Sequence, residues 1–500
     1  MVNSIAYFSK DFINGIAKIQ NKFFENPEKV AELVYGVSDE LQKLGVNIVK
    51  EVLENADECF RRSSKRKQEY YIEKKESKQL ITTLGTIDFE KTLFSKKENR
   101  KEMLYLVDEL IGFNRHQRMA EDAVAAVLQE AVQTSYQKGG NSICPFNTIS
   151  KEVVKDLIHS LEFPQEVNHK GPKKVVETLY IDADEDHASL QFQEHKGDLE
   201  VNEYGRKKNG LITKLVYVYE GVELVAPKSK RHRLVNPHYF CRVTNENEAF
   251  WDEIYEYINA VYDVSKIKNI YVNADGGAWI KAGMKRLNGV TYVLDEFHLS
   301  KYLLKLTGHM KDTQQQAKIE LCEAIKDGKK KDFEAIVNRL VDCAQNEKKK
   351  EKIKKDSKYI LNNWRAAKKR LQRKDGIKGC SAEGHVSHVL SKRMSTLPMG
   401  WSRLGAAKMA QLREWYYNKK DFLELAYYQK TVVHFEQQEE MKKVAGDEVV
   451  LSASEILLSE STDRTKLEKE YGKYSDAINH TWSLHTQKQL DYYSKHWNII

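Results

Sequence analysis

The stretch Val175-Val176-Glu177-Thr178-Leu179-Tyr180-Ile181-Asp182 opens the part of the chain whose reading decides the fold. Its β-branched and aromatic residues read as a strand that runs into an acid. Apolar runs at 188–192 and 211–225 follow, giving three strands in succession. A helix is expected over about 246–261, then a strand over 267–272 that ends at Asn273-Ala274-Asp275-Gly276-Gly277. After another helix comes a strand at 290–294, closed by Asp295-Glu296-Phe297-His298. Three strands followed by alternating helix and strand predict an α/β domain around a mixed sheet.

Outward from this segment the pattern is mainly helical. Val30, Leu33, Val34, Val37, Leu41, Leu44, Ile48 and Val52 recur at roughly helical spacing within 1–68. The period changes around Gly85, where Leu80, Ile81, Leu84, Ile87, Phe89 and Leu93 predict a β-hairpin over 78–94. Helix returns over 118–137, with Gly139-Gly140 as its stop. Ser150 then stands where it would cap a helix within 147–161, whose Val153, Val154, Leu157, Ile158 and Leu161 share a face. Lys151 and Lys155 lie off that face, so the segment is either a helix-turn-helix DNA reader or an ordinary helical hairpin. Residues 309–375 are helical and rich in lysine, and helix predominates beyond Met394.

Five hundred residues exceed what one core organises, so roughly two to four domains are expected. A hydrophobic fraction of 41% beside 31% charged residues fits a folded, soluble chain and excludes a disordered one. The net charge of +8 bears on nucleic acid only if the basic residues cluster. They do cluster: at Arg206-Lys207-Lys208, at Lys228-Ser229-Lys230-Arg231-His232-Arg233, at Lys329-Lys330-Lys331, from Lys348 to Lys355, and at Lys392-Arg393. The cysteines (Cys59, Cys144, Cys241, Cys322, Cys343, Cys380) form no C-x-x-C pair, which argues against a zinc ribbon or a disulfide framework and for a reducing cytoplasm. No signal-peptide layout is seen at the N-terminus, and no apolar run approaches the ~18 residues of a membrane span.

Asp182 and Asp275 stand at strand ends, where α/β sheets bind their ligands. Crowded carboxylates raise one another's pKa, and a divalent cation relieves that cost. Mg²⁺ favours a site of few carboxylates completed by water and phosphate oxygens. Gly276 and Gly277 would let a phosphate approach closely, or simply form the turn after the strand.

The order of Asp182, Asp275-Gly276-Gly277 and Asp295-x-x-His298 resembles the ribonuclease-H-like catalytic domain of Mutator-type DDE transposases. More specific is the block Gly379-Cys380-Ser381-Ala382-Glu383-Gly384-His385-Val386-Ser387-His388-Val389-Leu390-Ser391-Lys392-Arg393-Met394, continuing to Pro398-Met399-Gly400-Trp401-Ser402. It is similar to bacterial insertion-sequence transposases of the ISLre type, and the likeness runs through nearly the whole chain, including Thr82-Thr83-Leu84-Gly85. The resemblance implies that Asp182, Asp275 and Glu383 form the catalytic triad and hold two Mg²⁺ or Mn²⁺ ions, with Asp184, Asp295 and His298 in support. Asp182 is taken as the first acid because the family's first acid precedes an alanine. Asp184 and Asp186 follow at strand spacing and share its face, so Asp184 is the alternative.

The 108 positions from Asp275 to Glu383 would hold the all-helical insertion of the superfamily, which favours Glu383 over Glu296 or Glu323. Ser381 is placed to cap a helix carrying Glu383 in its first turn. His385 and His388 read as structural or phosphate-contacting, because Mg²⁺ prefers oxygen. The implied organisation is a mainly helical DNA-binding region (1–172), the first part of the core (173–308), the insertion (309–375), a return of the core (376–420) and a helical tail (421–500).

The implied activity is metal-dependent DNA cleavage and strand transfer of an insertion sequence, by a homo-oligomer assembled on double-stranded DNA: the element's terminal inverted repeats and the target. A cytoplasmic, nucleoid-associated protein is expected. Candidate DNA contacts are Lys151, Lys155, Lys230, Arg231, Arg233, Lys392 and Arg393, with Arg231 and Arg233 favoured because arginine pairs bidentately with phosphate. The alternatives are a structure-selective nuclease on the same fold and a non-catalytic DNA-binding regulator.

Overall fold

The computed structural model describes residues 7–430, apart from 115–116, 144–147, 166–170, 193–194, 202–204, 206, 209, 288, 374–375 and 398. Cys144, Arg206, Pro398 and all but the start of the expected tail therefore lie outside the described residues. The chain divides into two compact units: one takes the described residues up to 131 with 135–154 and 422–430, and the other takes 132–134 and 155–421.

In the first unit a long helix, α1 (Val30–Arg62), accompanies a hairpin of β1 (Tyr70–Thr82) and β2 (Gly85–Lys96), with β3 (Met103–Leu104) pairing β2. The hairpin is longer than 78–94 because Tyr70 and Phe94 bury with Phe60 and Leu106 and extend the pairing beyond the periodic stretch. Gly85, at φ 138°, closes its two-residue turn. The single helix expected over 118–137 is two, α2 (Glu121–Ala131) and α3 (Tyr136–Asn141), the second capped by Ser135 Oγ accepting from Lys138 N at 3.2 Å. Gly139-Gly140 lies inside α3 rather than ending a helix. A Cβ on Gly140 would stand 2.2 Å from the Ile149 carbonyl oxygen, so close packing explains that glycine. The next helix, α4 (Lys151–His159), starts as expected, with Ser150 Oγ accepting from Val153 N at 3.3 Å.

The second unit is a mixed α/β structure. Its main strands are β4 (Thr178–Ser189), β5 (Gly210–Tyr219), β6 (Gly221–Leu224), β7 (His232–Val235), β8 (His238–Arg242), β9 (Asn269–Ala274) and β10 (Val290–Leu294). Five of them form one sheet in the order β8-β5-β4-β9-β10. β4, β9 and β10 run parallel, while β5 is antiparallel to both β4 and β8. The three initial strands are present with different members. The runs at 175–182 and 188–192 contribute to one strand, and 211–225 divides into β5 and β6, the latter forming a separate hairpin with β7. The third sheet strand is β8, whose buried run is only Tyr239-Phe240-Cys241 between the polar His238 and Arg242.

Where the strands run through the core both faces are covered, and Leu179-Tyr180-Ile181, Val216-Tyr217-Val218-Tyr219 and Ile270-Tyr271-Val272 are apolar or aromatic without a break. On one face α5 (Asn247–Val261) lays Phe250, Trp251, Ile254, Ile258 and Val261 over Leu179, Ile181, Val216, Val218 and Val272. Fully burying such a side chain contributes about 1.5–3 kcal/mol. Gly283 of α6 (Ala278–Met284) admits the Trp251 ring, which would overlap a Cβ at 1.9 Å. The other face carries tyrosines: Tyr180 stacks on Tyr219 (5.2 Å) and Tyr271 (5.7 Å), and Tyr217 lies 5.5 Å from Tyr239.

Between β10 and Glu383 come α7 (Glu296–Thr307), α8 (Gln314–Asp327), α9 (Lys330–Asp342), α10 (Glu347–Asn362) and α11 (Trp364–Gln372). They share a core of their own around Leu303, Leu321, Ile325, Phe333, Leu340, Ile353 and Ile360. Lys329, Lys330, Lys331 and Lys348 are exposed, as amphipathic packing requires. Arg370 of α11 is only 1% exposed and ties this bundle to the sheet, donating to Leu294 O (2.8 Å), Lys378 O (2.6 Å) and Asn273 Oδ1 (2.6 Å). The chain returns as α12 (Ala382–Val386), continues through a π-helical turn (Ser387–Ser391), and ends in α13 (Arg403–Tyr417), where Glu414 Oε2 accepts from Cys241 N of β8 at 2.7 Å. Among the described residues, no helix is long and apolar enough to cross a membrane.

Candidate active site

The register of the parallel strands places the acids. Asp182 is opposite Asn273 and Ala183 opposite Ala274; the pairing stops there, and Asp184 and Asp275 are the next residues along their two chains. Ala274 is in turn opposite Leu294, which brings Asp295 to the same end of the sheet. This is the carboxyl end of β9 and β10, the end at which open α/β sheets bind ligands.

Asp182 is wholly buried. Its Oδ1 accepts from Asn273 Nδ2 (2.6 Å) and Tyr219 Oη (3.1 Å), and its Oδ2 from Tyr217 Oη (2.7 Å), Ser381 N (3.3 Å) and Cys380 Sγ (3.5 Å). Burial pushes this carboxyl up, while the Asn273, Tyr217, Ser381 and Tyr219 donors pull it back. Both oxygens are occupied by protein donors. The carboxylate thereby draws the 380–381 segment onto the sheet and sets where α12 begins. Ser381 occupies the N-cap position, but its hydroxyl does not cap the helix as expected; it lies 3.0 Å from Tyr217 Oη. His385 stacks on the same tyrosine at 4.6 Å, with Nδ1 3.1 Å from Ser381 O, and burial lowers its pKa, which suits a structural role.

Asp184 differs in kind. It is half-buried, and burial together with the nearby charges of Asp275 and Glu383 pushes its carboxyl up to about 7, against the opposing pull of His298. Asp275 Oδ1 accepts from Gly277 N (2.8 Å), and Tyr359 Oη donates to the Asp275 carbonyl (2.5 Å). Between them Gly276 takes φ 93°, and a Cβ there would stand 2.7 Å from Asn363 Oδ1. Glu383 is exposed in the first turn of α12.

Asp295 caps α7 by accepting from His298 N at 3.2 Å, and its Oδ2 lies 2.8 Å from His298 Nδ1. Burial raises the Asp295 pKa, but the His298 ring and amide and the Cys380 thiol more than reverse it, so the group sits below the usual carboxylate range. His298 is raised, first by its hydrogen bond to Asp295 and further by Asp184 and Asp275. Glu296, the nearer rival to Glu383, instead pairs with Arg373 at the surface.

Asp184, Asp275 and Glu383 offer only oxygen, the donor chemistry of a hard divalent ion. Among the described residues, no group of three or more His, Cys, Asp or Glu side chains is gathered tightly enough to hold a metal as it stands. The set fits Mg²⁺ or Mn²⁺ whose coordination is completed by water and phosphate oxygens, as Mg²⁺ commonly requires.

The basic candidates are dispersed. Lys151 and Lys155 are exposed beside Glu152 (3.8 Å) and Asp156 (3.0 Å). Lys230 and Arg231 are exposed between β6 and β7, and Arg233 pairs across that hairpin with Glu223 at 2.6 Å. Lys392 is exposed. Arg393 does not fit the expected phosphate contact: it is 4% exposed, with its guanidinium 5.0 Å over the Trp401 ring and Nη1 3.5 Å from Met399 Sδ, so packing claims it. Sequence reasoning does not find the network around Asp182. Its signals are Asn273 on the adjoining rung and the Tyr217-x-Tyr219 pair on one strand face.

Residues 24–431 match the family described as "Uncharacterised protein family (UPF0236)". Two UPF0236 proteins of Caldanaerobacter subterraneus subsp. tengcongensis are each 35% identical over 415 residues, covering 83% of this chain and 84% of theirs. A UPF0236 protein in the vanSb 3′ region of Streptococcus gallolyticus is 25% identical over 363 residues, covering 69% of this chain and 74% of its own. Among solved structures, the Drosophila P element transposase strand transfer complex is similar over 70% of this chain and 94% of that chain, at 12% identity. The TM-score is 0.21, a likeness too loose to show a shared fold.

Proposed function

The chain belongs to the UPF0236 family, and from its site we propose that it is a DDE-type DNA transposase of the ISLre kind, built on a ribonuclease-H-like core. The observation that carries this reading is that Asp184 and Asp275 directly follow the last paired rung of two parallel strands, with Asp275 and Glu383 both close enough for their charges to be felt at Asp184. Asp184 replaces Asp182 as the proposed first carboxylate, because both oxygens that Asp182 could offer an ion already face protein donors.

Asp184, Asp275 and Glu383 would hold two Mg²⁺ or Mn²⁺ ions. When bound, such ions activate water and stabilise the attacking and leaving oxygens of phosphoryl transfer. The protein's own groups prepare the place. Gly277 N and Tyr359 fix the Asp275 turn, and Asp295 orients the His298 ring, whose pKa it raises through their hydrogen bond. The Asp182 network anchors the segment that carries Glu383. Exposed Lys230, Arg231 and Lys392 would bind the phosphates of duplex DNA, which supply most non-specific affinity. A further support comes from the relatives: one name joins eleven loci of a single organism and another joins four. Many copies of one coding sequence are what an element that moves or copies itself leaves behind.

The test uses labelled duplex from the inverted repeats flanking the coding sequence, a target plasmid, and Mg²⁺ or Mn²⁺. The purified protein should nick the repeat end and join it to the plasmid, and Glu383→Gln should do neither while still binding DNA. Cutting without joined product would make the protein a nuclease. Binding without cutting by the parent would make it a regulator.

A further inference from the structure

A cleft of 780 Å³ lies between the sheet edge and the helical bundle of the second unit, apart from the carboxylates. Lys281 and Lys285 reach it from α6 and the residue after it, Lys330 from the start of α9, and Arg365 from the first turn of α11, with Tyr292 and Trp364 completing its aromatic wall. Among the described residues, no acid lines it, and none of these four cations forms a side-chain ion pair or hydrogen bond. Their immediate neighbours are treated differently: Arg286 is paired with Asp252 (2.6 Å) and Lys329 with Asp327 (3.3 Å).

The placement runs against ordinary helix electrostatics. Lys330 and Arg365 occupy the first turns of α9 and α11, where the positive end of the dipole disfavours cations, and α11 has no acid there in compensation. Leu361, Asn362 and Asn363 at the carboxyl end of α10 also line the recess, so its positive character rests on the four unpaired side-chain charges. Its inner wall adjoins the catalytic turn, since Tyr292 Oη lies 3.4 Å from the carbonyl of Ala274, the residue before Asp275. Trp364 is half-buried and braced from behind by Phe333, ring to ring at 5.3 Å.

A recess of this size accepts a ligand of a few linked rings and phosphates, not a double helix. Phosphates matched to Lys and Arg, and bases stacked on aromatic rings, are how proteins hold unpaired strands. We infer that the cleft binds single-stranded DNA, with its phosphates on Lys281, Lys285, Lys330 and Arg365 and a base against Trp364. Resting on the transposase reading for the strand's identity, the cleft leads an unpaired strand away from the carboxylates next to the cut.

The experiment measures binding of the full-length protein to a short labelled single strand and to a blunt duplex across a salt series, with chelator present to silence cleavage. The variant Lys281→Gln/Lys285→Gln/Lys330→Gln/Arg365→Gln should lose single-strand affinity, and its salt slope should be shallower by about 3, from four phosphates at roughly 0.7 each. Duplex affinity should stay near that of the parent. Replacing the three lysines by arginine should preserve single-strand binding, which separates charge from folding. Unchanged single-strand binding in the glutamine variant, or an equal loss on duplex, overturns the assignment. If single-strand binding falls as expected while Asp184→Asn still cuts DNA, the cleft stands and the carboxylate reading is lost. If Asp184→Asn is dead and single-strand binding is untouched, the cleft alone is lost.

Discussion

Asp182 and Asp184 stand two residues apart on one face of one strand, yet their surroundings are opposite. Asp182 lies among tyrosines, an asparagine and a backbone amide that satisfy it completely. Asp184 lies half-buried at the rim, where burial first, and the like charges of Asp275 and Glu383 after it, disfavour its ionised form. The first arrangement stabilises a fold, and the second is costly until something positive arrives. An acid's place at a strand end does not settle its role. What its oxygens already touch does.

The largest predicted effect is on the structural side of that comparison. Asp182→Ala leaves Tyr217, Tyr219, Asn273 and the Ser381 amide without their buried acceptor. An orphaned buried group costs about 1–3 kcal/mol, so a loss of about 3–5 kcal/mol is expected, read from denaturant midpoints at constant slope. Parental stability in this variant would erase the distinction. Arg370→Met should cost somewhat less, about 2–4 kcal/mol, because it orphans Leu294 O, Lys378 O and Asn273 Oδ1 but keeps the side chain's packing volume. The same denaturation series measures it.

The rim should behave in the opposite sense, with a dependence on pH. In the folded chain Asp184 keeps its proton to about pH 7, whereas an unfolded aspartate releases it near about 3.9. The folded state therefore binds more protons in that window, and stability falls as pH rises through it. Asp184→Asn removes the effect. In chelator it should melt above the parent at pH 8, with the advantage shrinking toward pH 4. An advantage that grows toward low pH would contradict the sign. The smallest effects belong to the outer hairpin. Arg231→Ala and Arg233→Ala should change stability by no more than about 0.5 kcal/mol and lower the salt slope of duplex binding by roughly 0.9 for each phosphate no longer neutralised.

The contrast also explains what is legible in the sequence. The β-branched and aromatic run that opens β4, the stripe of α5 and the Asp275-Gly276-Gly277 turn are local patterns, so the α/β character and the acid-bearing strand ends can be read directly. The choice between Asp182 and Asp184 depends on register, a pairing between residues some ninety positions apart that no local period encodes. β8 escapes a sequence reading because its apolar run, Tyr239-Phe240-Cys241, is only three residues long between His238 and Arg242, and 211–225 reads as one strand because its break at Glu220 carries no turn signal stronger than Gly221. Arg393 misleads for a similar reason. A Lys-Arg pair looks like surface charge until Trp401 is seen beneath the guanidinium.

The carboxylate assignment stands or falls on the rate at which Asp184→Asn cuts a labelled element end in Mg²⁺, measured on protein shown to melt cooperatively and to bind DNA as the parent does. No cleavage is expected over a period in which the parent completes the reaction. Cleavage by Asp184→Asn at the parental rate would contradict the assignment.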